Sequence, residues 1–199
     1  IDARNNIVRN EYDNGNRARL TKTTDALSKV TQYAYDPSKG YLTTITDALA
    51  NTVNYAYDSA GNIASVTYKN SSAQTLSSSS YTYDANGNRI SESTARSTPY
   101  GSQTVTTRYV FDGQNRLLET IEPQGFSTLT TYDEVGRVKT TAEKLGRVTS
   151  YEYYLTRNLL KRRTDPDGNY EEWTYDAAGR RDTSRDRMGR ITSYVYDDV

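Results

Sequence analysis

Cysteine and histidine are both absent from this chain. Without cysteine it has no disulfide framework, no thiolate metal site and no thiol nucleophile. Without histidine it can form neither a Ser-His-Asp triad nor an imidazole metal site. Walker loops and the G-x-S-x-G and G-x-G-x-x-G motifs are missing as well. The sequence therefore predicts no catalytic residue, no metal or cofactor site, and no enzyme.

Long apolar runs are also missing, because none approaches the ~20 residues that a membrane helix needs, and no signal peptide is visible. We therefore expect no membrane insertion by this segment. The 25 basic and 25 acidic residues cancel, which gives no support to binding of nucleic acid or to binding of a membrane surface through a basic patch. Only 34% of the residues are hydrophobic, and the mean hydropathy is −0.88. The 19 tyrosines supply the bulk instead, and their polar tips suit a half-wet sheet face.

A repeat of 21 to 28 residues runs through the whole chain. It is marked by an aromatic residue followed by aspartate, except for one tyrosine pair, and the second residues of these pairs are Asp13, Asp36, Asp58, Asp84, Asp112, Asp133, Tyr154, Asp176 and Asp197. A second acid precedes most of them by eleven residues, at Asp2, Asp25, Asp47, Glu122, Glu143, Asp165 and Asp186. The constant half-spacing indicates one supersecondary unit of about nine copies.

Glycine stands three residues after many of these acids. An aspartate that opens a turn and a glycine in the left-handed region are typical of a type I hairpin turn with a G1 bulge. Gly15 belongs to a worn copy of this turn, and Asn115 replaces the glycine in another. The predicted structural turn residues are Asp58, Gly61, Asp84, Gly87, Asp133, Gly136, Asp165, Gly168, Asp176, Gly179, Asp186 and Gly189.

Two other chemistries suggested by the acids are less well supported. Asp165-x-Asp167-Gly168 resembles the start of a calcium loop, but the later ligands and the terminal glutamate are missing. Paired carboxylates could hydrolyse glycosides, yet nearly all the recurring acids occupy the first position of a turn, where a structural role suffices. A hairpin turn explains both patterns.

The runs between the turns alternate with period two and are rich in Thr, Val, Tyr and Ile, which is typical of strands. We predict an all-β fold, an antiparallel meander of about 18 strands that coils into a spiral sheet or part of a hollow shell or barrel. The aromatic residues of each strand that precedes a Tyr-Asp pair fall on one face. Stacked across neighbouring hairpins, they are predicted to form continuous aromatic ladders.

Residues 69–80 and 93–103 interrupt the rhythm, and we predict that they are longer loops of hairpins on one rim. We therefore expect a single repeat segment over residues 1–199 without a separate catalytic domain. The chain begins and stops in mid-pattern, so we interpret it as a segment of a longer repeat region.

The unit Tyr-Asp-x-x-Gly-Arg/Asn, with a second Asp-x-x-Gly about ten residues later, resembles the YD repeat of the RHS family. Related repeats occur in the B and C components of bacterial Tc toxins and in teneurins. The resemblance implies a β-sheet wound into a large hollow shell, which encloses a toxin polypeptide in bacterial members and belongs to an adhesion ectodomain in teneurins. The self-cleavage motif of bacterial members is not in this sequence.

The resemblance implies a structural, shell-forming segment of an exported bacterial protein, secreted or at the cell surface. Its expected partners are an enclosed toxin or effector polypeptide and flanking repeats of the same chain. The alternative is a secreted or surface-displayed module that binds carbohydrate or a partner cell. For that alternative, Trp173 and Tyr175 are the candidate residues for stacking on a sugar.

Overall fold

The computed structural model describes residues 7–14, 18–99 and 101–197, with the exception of the side chain of Ser97. Asp2 and Gly15, which belong to the repeat pattern, lie outside these residues. The described part of the chain contains seventeen strands and one short 3-10 helix, Lys144–Gly146. All the strands are antiparallel and belong to one open sheet, so the predicted all-β meander is confirmed. Its coiling into a spiral or a shell stays a prediction.

The chain divides into two compact units, Ile1–Arg108 and Tyr109–Val199. The single repeat segment over residues 1–199 stays a prediction. In the first unit the strands are β1 (Arg9–Tyr12), β2 (Leu20–Thr24), β3 (Val30–Tyr35), β4 (Leu42–Thr46), β5 (Thr52–Tyr57), β6 (Ile63–Lys69), β7 (Thr75–Tyr83), β8 (Arg89–Thr98) and the beginning of β9 (Gly101–Phe111). Each strand from β1 to β8 pairs with the next along the chain.

The second unit repeats this arrangement. Its strands are β10 (Leu117–Ile121), β11 (Ser127–Tyr132), β12 (Val138–Glu143), β13 (Arg147–Tyr153), β14 (Leu160–Thr164), β15 (Tyr170–Tyr175), β16 (Arg181–Arg185) and β17 (Ile191–Ser193). They too pair in sequence order.

The prediction of longer loops at residues 69–80 and 93–103 is wrong. Strand β7 begins at Thr75, and β8 and β9 extend to Thr98 and from Gly101. Serine and threonine in these segments pair across the strands, as in the Ser93–Thr106 hydroxyl hydrogen bond of 2.8 Å. The long repeat steps therefore lengthen the strands and not the turns, because alternating hydroxyl side chains are compatible with a sheet that has two wet faces.

In the hairpins whose first strand ends at the motif tyrosine, the strand register shifts by one residue beside that tyrosine, for example between Ala56 and Tyr57. Such a bulge re-aims the side chains beyond it. It brings Tyr57 opposite Ile63 and Tyr35 opposite Leu42, so each of these tyrosines shares a face with an aliphatic residue.

The two faces of the first unit differ in composition. We call the first the tyrosine face, defined by residues that register and alternation place together: Tyr33, Tyr35, Ile45, Val53, Tyr55, Tyr57, Ile63, Val66 and Tyr68. The second is the hydroxyl face, with one row of Ala34, Thr44, Asn54, Thr67, Ser78, Ala95 and Thr104 and a second of Ala56, Ser65, Ser80, Ser93 and Thr106.

None of the described side chains is fully buried. The tyrosines and aliphatic residues of the tyrosine face are mostly half-buried, against neighbouring side chains of the same face. The sheet is therefore a single layer whose stability comes from contacts within each face and from its backbone ladder, not from a core between layers.

Candidate functional site

The predicted turn residues share one geometry. The backbone N–H of each glycine donates to the carbonyl of its turn aspartate over 2.9–3.2 Å, and φ lies between +81° and +94°, at Gly61, Gly87, Gly136, Gly168, Gly179 and Gly189. In most of these turns the aspartate Oδ1 accepts backbone N–H groups of the turn, as Asp58 does from Asn62 over 2.9 Å. The aspartate closes the turn and the glycine supplies the left-handed conformation.

Asn115 takes up the same shape in place of glycine, with φ of 63°. Three further turns take it up without glycine, and the sequence did not predict them. Ser28, Ala50 and Ala73 have φ of 62°, 63° and 61°, and each donates its N–H to the residue that opens its turn. The signal was present in the constant half-spacing of the acids, since Asp25 and Asp47 open two of these turns. The aspartate side chain therefore holds a turn even where a Cβ opposes it.

Replacing Ala50 with glycine is expected to stabilise the protein by up to about 1 kcal/mol. A left-handed alanine costs roughly 1–2 kcal/mol, whereas the added freedom of glycine in the unfolded chain costs about 0.5–1 kcal/mol. Thermal or urea unfolding would measure the difference. Ala48→Gly, two residues earlier in the same turn and without positive φ, is the control and should destabilise. Destabilisation by both substitutions to the same degree would contradict this account.

A set of four groups recurs between neighbouring repeats, complete in some and partial in others, and we call it the clamp. In the clamp around Tyr132, Asp112 pairs with Arg116 over 2.7 Å, and the Arg116 guanidinium lies 4.5 Å from the ring centroid of Tyr132. The Tyr132 hydroxyl then donates to the Leu117 carbonyl over 2.8 Å. The ring, the ion pair and the carbonyl therefore form one continuous contact between neighbouring hairpins.

The hydrogen bond from the tyrosine hydroxyl to a backbone carbonyl, which is part of the clamp, recurs in both units. Tyrosine hydroxyls reach back fifteen residues to a carbonyl of the preceding strand over 2.8–3.0 Å, from Tyr35 to Leu20, Tyr57 to Leu42, Tyr175 to Leu160 and Tyr196 to Arg181. Arginines lie on several of these rings, at 5.2 Å for Arg19 and Tyr35 and 4.6 Å for Arg180 and Tyr196. Where asparagine takes the place of arginine, it still donates to the turn aspartate, as Asn62 does to Asp58 over 3.1 Å.

The predicted continuous aromatic ladder is wrong. Ring contacts among the described residues join only Tyr41 to Tyr57, at 4.7 Å, and Tyr154 to Tyr175, at 6.0 Å. The tyrosine-bearing strands alternate with strands that lack the motif, so their rings are about 9–10 Å apart. Arginine side chains from the intervening turns fill these gaps. The sequence motif contains these arginines, but it does not show that each one lies over a tyrosine ring of the next repeat.

Arg137→Gln is expected to lower the melting temperature by about 3–6 °C. The Arg137 Nε donates to Asp133 over 2.7 Å, its guanidinium lies 4.6 Å from the Tyr153 ring centroid, and its side chain is only 16% exposed. Arg190→Gln is the matched control, because Arg190 pairs with Asp186 over 2.6 Å but is 76% exposed. Exposed ion pairs contribute little, so this variant should shift the melting temperature by about 1 °C or less. Equal shifts in the two variants would show that the ring contact and burial do not matter.

The Tyr153-Tyr154 pair, which lacks the aspartate, has its own geometry. The turn is one residue longer, with the Tyr154 N–H donating to the Leu159 carbonyl over 2.9 Å. The Tyr154 hydroxyl donates forward to the Trp173 carbonyl over 3.2 Å, and its ring meets Tyr175 edge to face. An aromatic contact therefore replaces the usual ion pair at this repeat.

The two candidate sugar-stacking residues take part in contacts within the sheet. The Arg181 guanidinium lies 5.8 Å from the ring centroid of Trp173, and the Tyr175 hydroxyl is bonded to Leu160. Both side chains are half-buried.

No group of three or more acidic, histidine or cysteine side chains that could hold a metal ion occurs among the residues described above. In the same ranges, no helix is long and apolar enough to cross a membrane.

Several turn aspartates have lowered pKa values, among them Asp58, Asp84 and Asp176. The pKa of Asp58 and of Asp84 is lowered mainly because the side-chain amides of Asn62 and Asn88 donate to the carboxylates. The pKa of Asp176 is lowered mainly because the Arg180 guanidinium donates to it. A carboxyl whose pKa is lower in the folded state contributes stability above its unfolded pKa, and this contribution is lost as pH falls through the folded value.

Stability is therefore expected to be flat between about pH 5 and 8 and to fall below about pH 4, near the unfolded pKa of aspartate. The chain has no histidine to titrate in the flat region. Melting temperature against pH would measure this profile. Asp58→Asn keeps an acceptor oxygen in the turn but removes one titrating group, so its profile should fall less steeply than that of the parent. Stability that rises on acidification would contradict the role of the carboxylates.

Comparisons with known proteins fit this architecture. The family model for the RHS repeat matches residues 19–52, 38–73 and 154–187. A structure of a Photorhabdus luminescens Tc holotoxin pore aligns with 96% of this chain at a TM-score of 0.53 and 13% identity, and a crystal structure of TcdB2-TccC3 aligns with 87% at 0.54 and 14%. The chain spans only 13% and 11% of those two chains, and at this identity the likeness concerns the fold alone. No match is found among curated protein sequences.

Proposed function

We propose that this chain, which contains RHS repeats, is a wall segment of a hollow shell that encloses a toxin or effector polypeptide. The carrying observation is the absence of any fully buried side chain among the described residues of a seventeen-stranded sheet. A single-layer sheet with two wet faces is suited to separating two compartments. In this proposal the segment acts by enclosure and performs no chemistry.

The amount of exposed surface supports this role. The chain has an accessible surface of 14025 Å². A folded monomer of 22.5 kDa is expected to expose about 9,500 Å². Ordinary domains remove the difference from water by packing a second layer onto the sheet. A wall keeps both faces available, one to the enclosed polypeptide and the other to the outside.

The clamps explain how such a wall holds together without a core. Each links one hairpin to its neighbour through a ring, a hydrogen bond and in several repeats an ion pair, as around Tyr132. Stability then accumulates from nearest-neighbour contacts, as in other repeat proteins. The wall can therefore be extended by further repeats without a change in design.

The similarity to Tc toxin structures supports the proposed setting. We infer an exported protein, secreted or at the cell surface, whose partners are flanking repeats and the enclosed polypeptide. The alternative, a module that binds carbohydrate through Trp173 and Tyr175, remains a prediction, and no contact of these two residues favours it over their packing role.

Protease protection in the full-length protein tests enclosure. The polypeptide inside the shell should be cut about a hundredfold more slowly than the same polypeptide expressed alone, because cleavage requires opening of the wall. Addition of denaturant before the protease is the control and should abolish the protection. Equal cleavage rates for the free polypeptide and for the polypeptide within the full-length protein would refute the proposal.

A further inference from the structure

The two faces of the first unit present different chemistry to their surroundings. Strand alternation places the tyrosines, the aliphatic residues and the clamps on the tyrosine face, and alanine, serine, threonine and asparagine on the hydroxyl face. If one face lines a compartment, its composition determines how strongly the contents adhere.

The two rows of the hydroxyl face carry no charged residue from Ala34 to Thr106. Charges on this side are found in adjacent rows. On one side Lys22 pairs with Glu11 over 2.8 Å and Lys69 faces Thr52, and on the other Arg108 faces Ser91. A polypeptide against the two central rows would therefore meet no fixed charge with which to form an ion pair.

Hydroxyls of this side also bond to one another across the strands. Ser93 and Thr106 are 2.8 Å apart, and in the adjacent row Thr82 and Ser91 are 2.6 Å apart. The Thr44 hydroxyl donates to the Asn54 side chain over 3.3 Å. Because hydrogen-bonding capacity is used within the wall, this face offers fewer groups to a neighbouring chain.

The tyrosine face has the opposite character. It presents aromatic and aliphatic side chains that are half-buried, and Tyr68 is 47% exposed. It also carries charges, since Arg19 lies over Tyr35 and pairs with Asp13. Removing such ionic groups from bulk water is costly, and exposed rings would bind an unfolded polypeptide through its apolar side chains.

We propose that the hydroxyl face of the first unit is the surface that meets the enclosed polypeptide, and that the tyrosine face is turned outwards. The partner is the enclosed polypeptide, held by confinement and not by specific contacts. Small, uncharged side chains keep its adhesion weak, so that the polypeptide can leave when the shell opens. This inference rests on the proposed function and is confined to the first unit, because Arg162 and Glu172 form an ion pair on the corresponding face of the second.

Ser79 and Ser80 allow a matched test. They are adjacent in β7, register with Thr94 and Ser93 respectively, and therefore lie on opposite faces. Serine and cysteine have nearly the same shape, and this chain has no cysteine of its own. Ser79→Cys and Ser80→Cys would be made separately in the full-length protein, with any other cysteines replaced.

Each variant would be labelled with N-ethylmaleimide and with a maleimide that carries a polyethylene glycol chain too large to cross the wall. The small reagent should label both thiols. The large reagent should label the Ser80→Cys variant about tenfold more slowly than the Ser79→Cys variant, and denaturation should remove the difference. This result would support the assignment of the hydroxyl face to the interior.

Slower labelling of Ser79→Cys by the large reagent would overturn the assignment of the faces but leave enclosure intact. Rapid labelling of both variants by the large reagent would refute enclosure itself, and with it the proposed function. Protection of both from the large reagent would also overturn the assignment, since the tyrosine face would then be covered.

Discussion

Gly61→Ala is expected to lower the free energy of unfolding by about 2–4 kcal/mol, more than any other alanine substitution at a turn glycine. Gly61 has φ of +94°, where an alanine is strained by roughly 1–2 kcal/mol. A Cβ at this position would also lie 2.5 Å from the Tyr41 hydroxyl oxygen and 3.2 Å from its Cζ. The Tyr41 ring must then move, which disturbs its contact with the Tyr57 ring, whose centroid lies 4.7 Å from its own.

Gly87→Ala separates the backbone strain from the steric contact with Tyr41. Gly87 has φ of +84°, and a Cβ added to it would have no heavy atom within 4 Å, so this variant reports the backbone strain alone. We expect a loss of about 1–2 kcal/mol in urea unfolding for this variant. Tyr41→Ala combined with Gly61→Ala should bring the effect of the glycine substitution down to the Gly87 value. Equal losses for Gly61→Ala and Gly87→Ala would disprove the role of the Tyr41 contact.

Tyr57→Ala is expected to destabilise the protein by about 2–3 kcal/mol, somewhat less than truncation of a fully buried aromatic residue. The substitution removes the ring contact with Tyr41 and the hydrogen bond from the Tyr57 hydroxyl to the Leu42 carbonyl, which measures 2.8 Å. Burial raises the pKa of Tyr57, with smaller contributions from Tyr55 and Tyr41, consistent with a hydroxyl that is partly withdrawn from water. Equilibrium unfolding followed by circular dichroism would measure the loss.

The hydroxyl alone can be tested with phenylalanine. Tyr57→Phe should cost about 1 kcal/mol, because the Leu42 carbonyl loses its donor. Tyr55 lies two residues earlier on the same strand and face and is likewise half-buried. Its phenylalanine variant should change stability by only a few tenths of a kcal/mol. If Tyr55→Phe proved as costly as Tyr57→Phe, the hydrogen bond to the preceding strand would not be what distinguishes the motif tyrosine.

The sequence predicts local structure well here because turn and strand signals are short-range. The spacing of Asp58 and Gly61 specifies a turn within four residues, and period-two alternation specifies a strand. The left-handed Ala50 escaped prediction because alanine carries no signal for that conformation. Its turn is held by the Asp47 side chain, which accepts the Leu49 and Asn51 N–H groups over 2.8 Å.

The contacts between repeats could not be predicted in the same way. Arg116 and Tyr132 belong to different hairpins, and their contact depends on sheet register and on the one-residue bulge beside Tyr132. Polar composition was also misleading at residues 69–80, where it suggested a loop. Serine and threonine there form strand, and several of their partners across the ladder, such as Thr67 and Ser93, are hydroxyl residues too.

The hydrogen bonds donated by the hydroxyls of the motif tyrosines mostly run in one direction along the chain. Tyr35, Tyr57, Tyr132 and Tyr175 all donate to a residue that precedes them, so each closes onto a strand that emerges earlier from the ribosome. Each new hairpin thus finds its acceptor already in place, and the sheet can grow in step with translation from the amino end. At Tyr154 the hydrogen bond points forward instead, to the Trp173 carbonyl. This bond can therefore form only after the next hairpin has been synthesised.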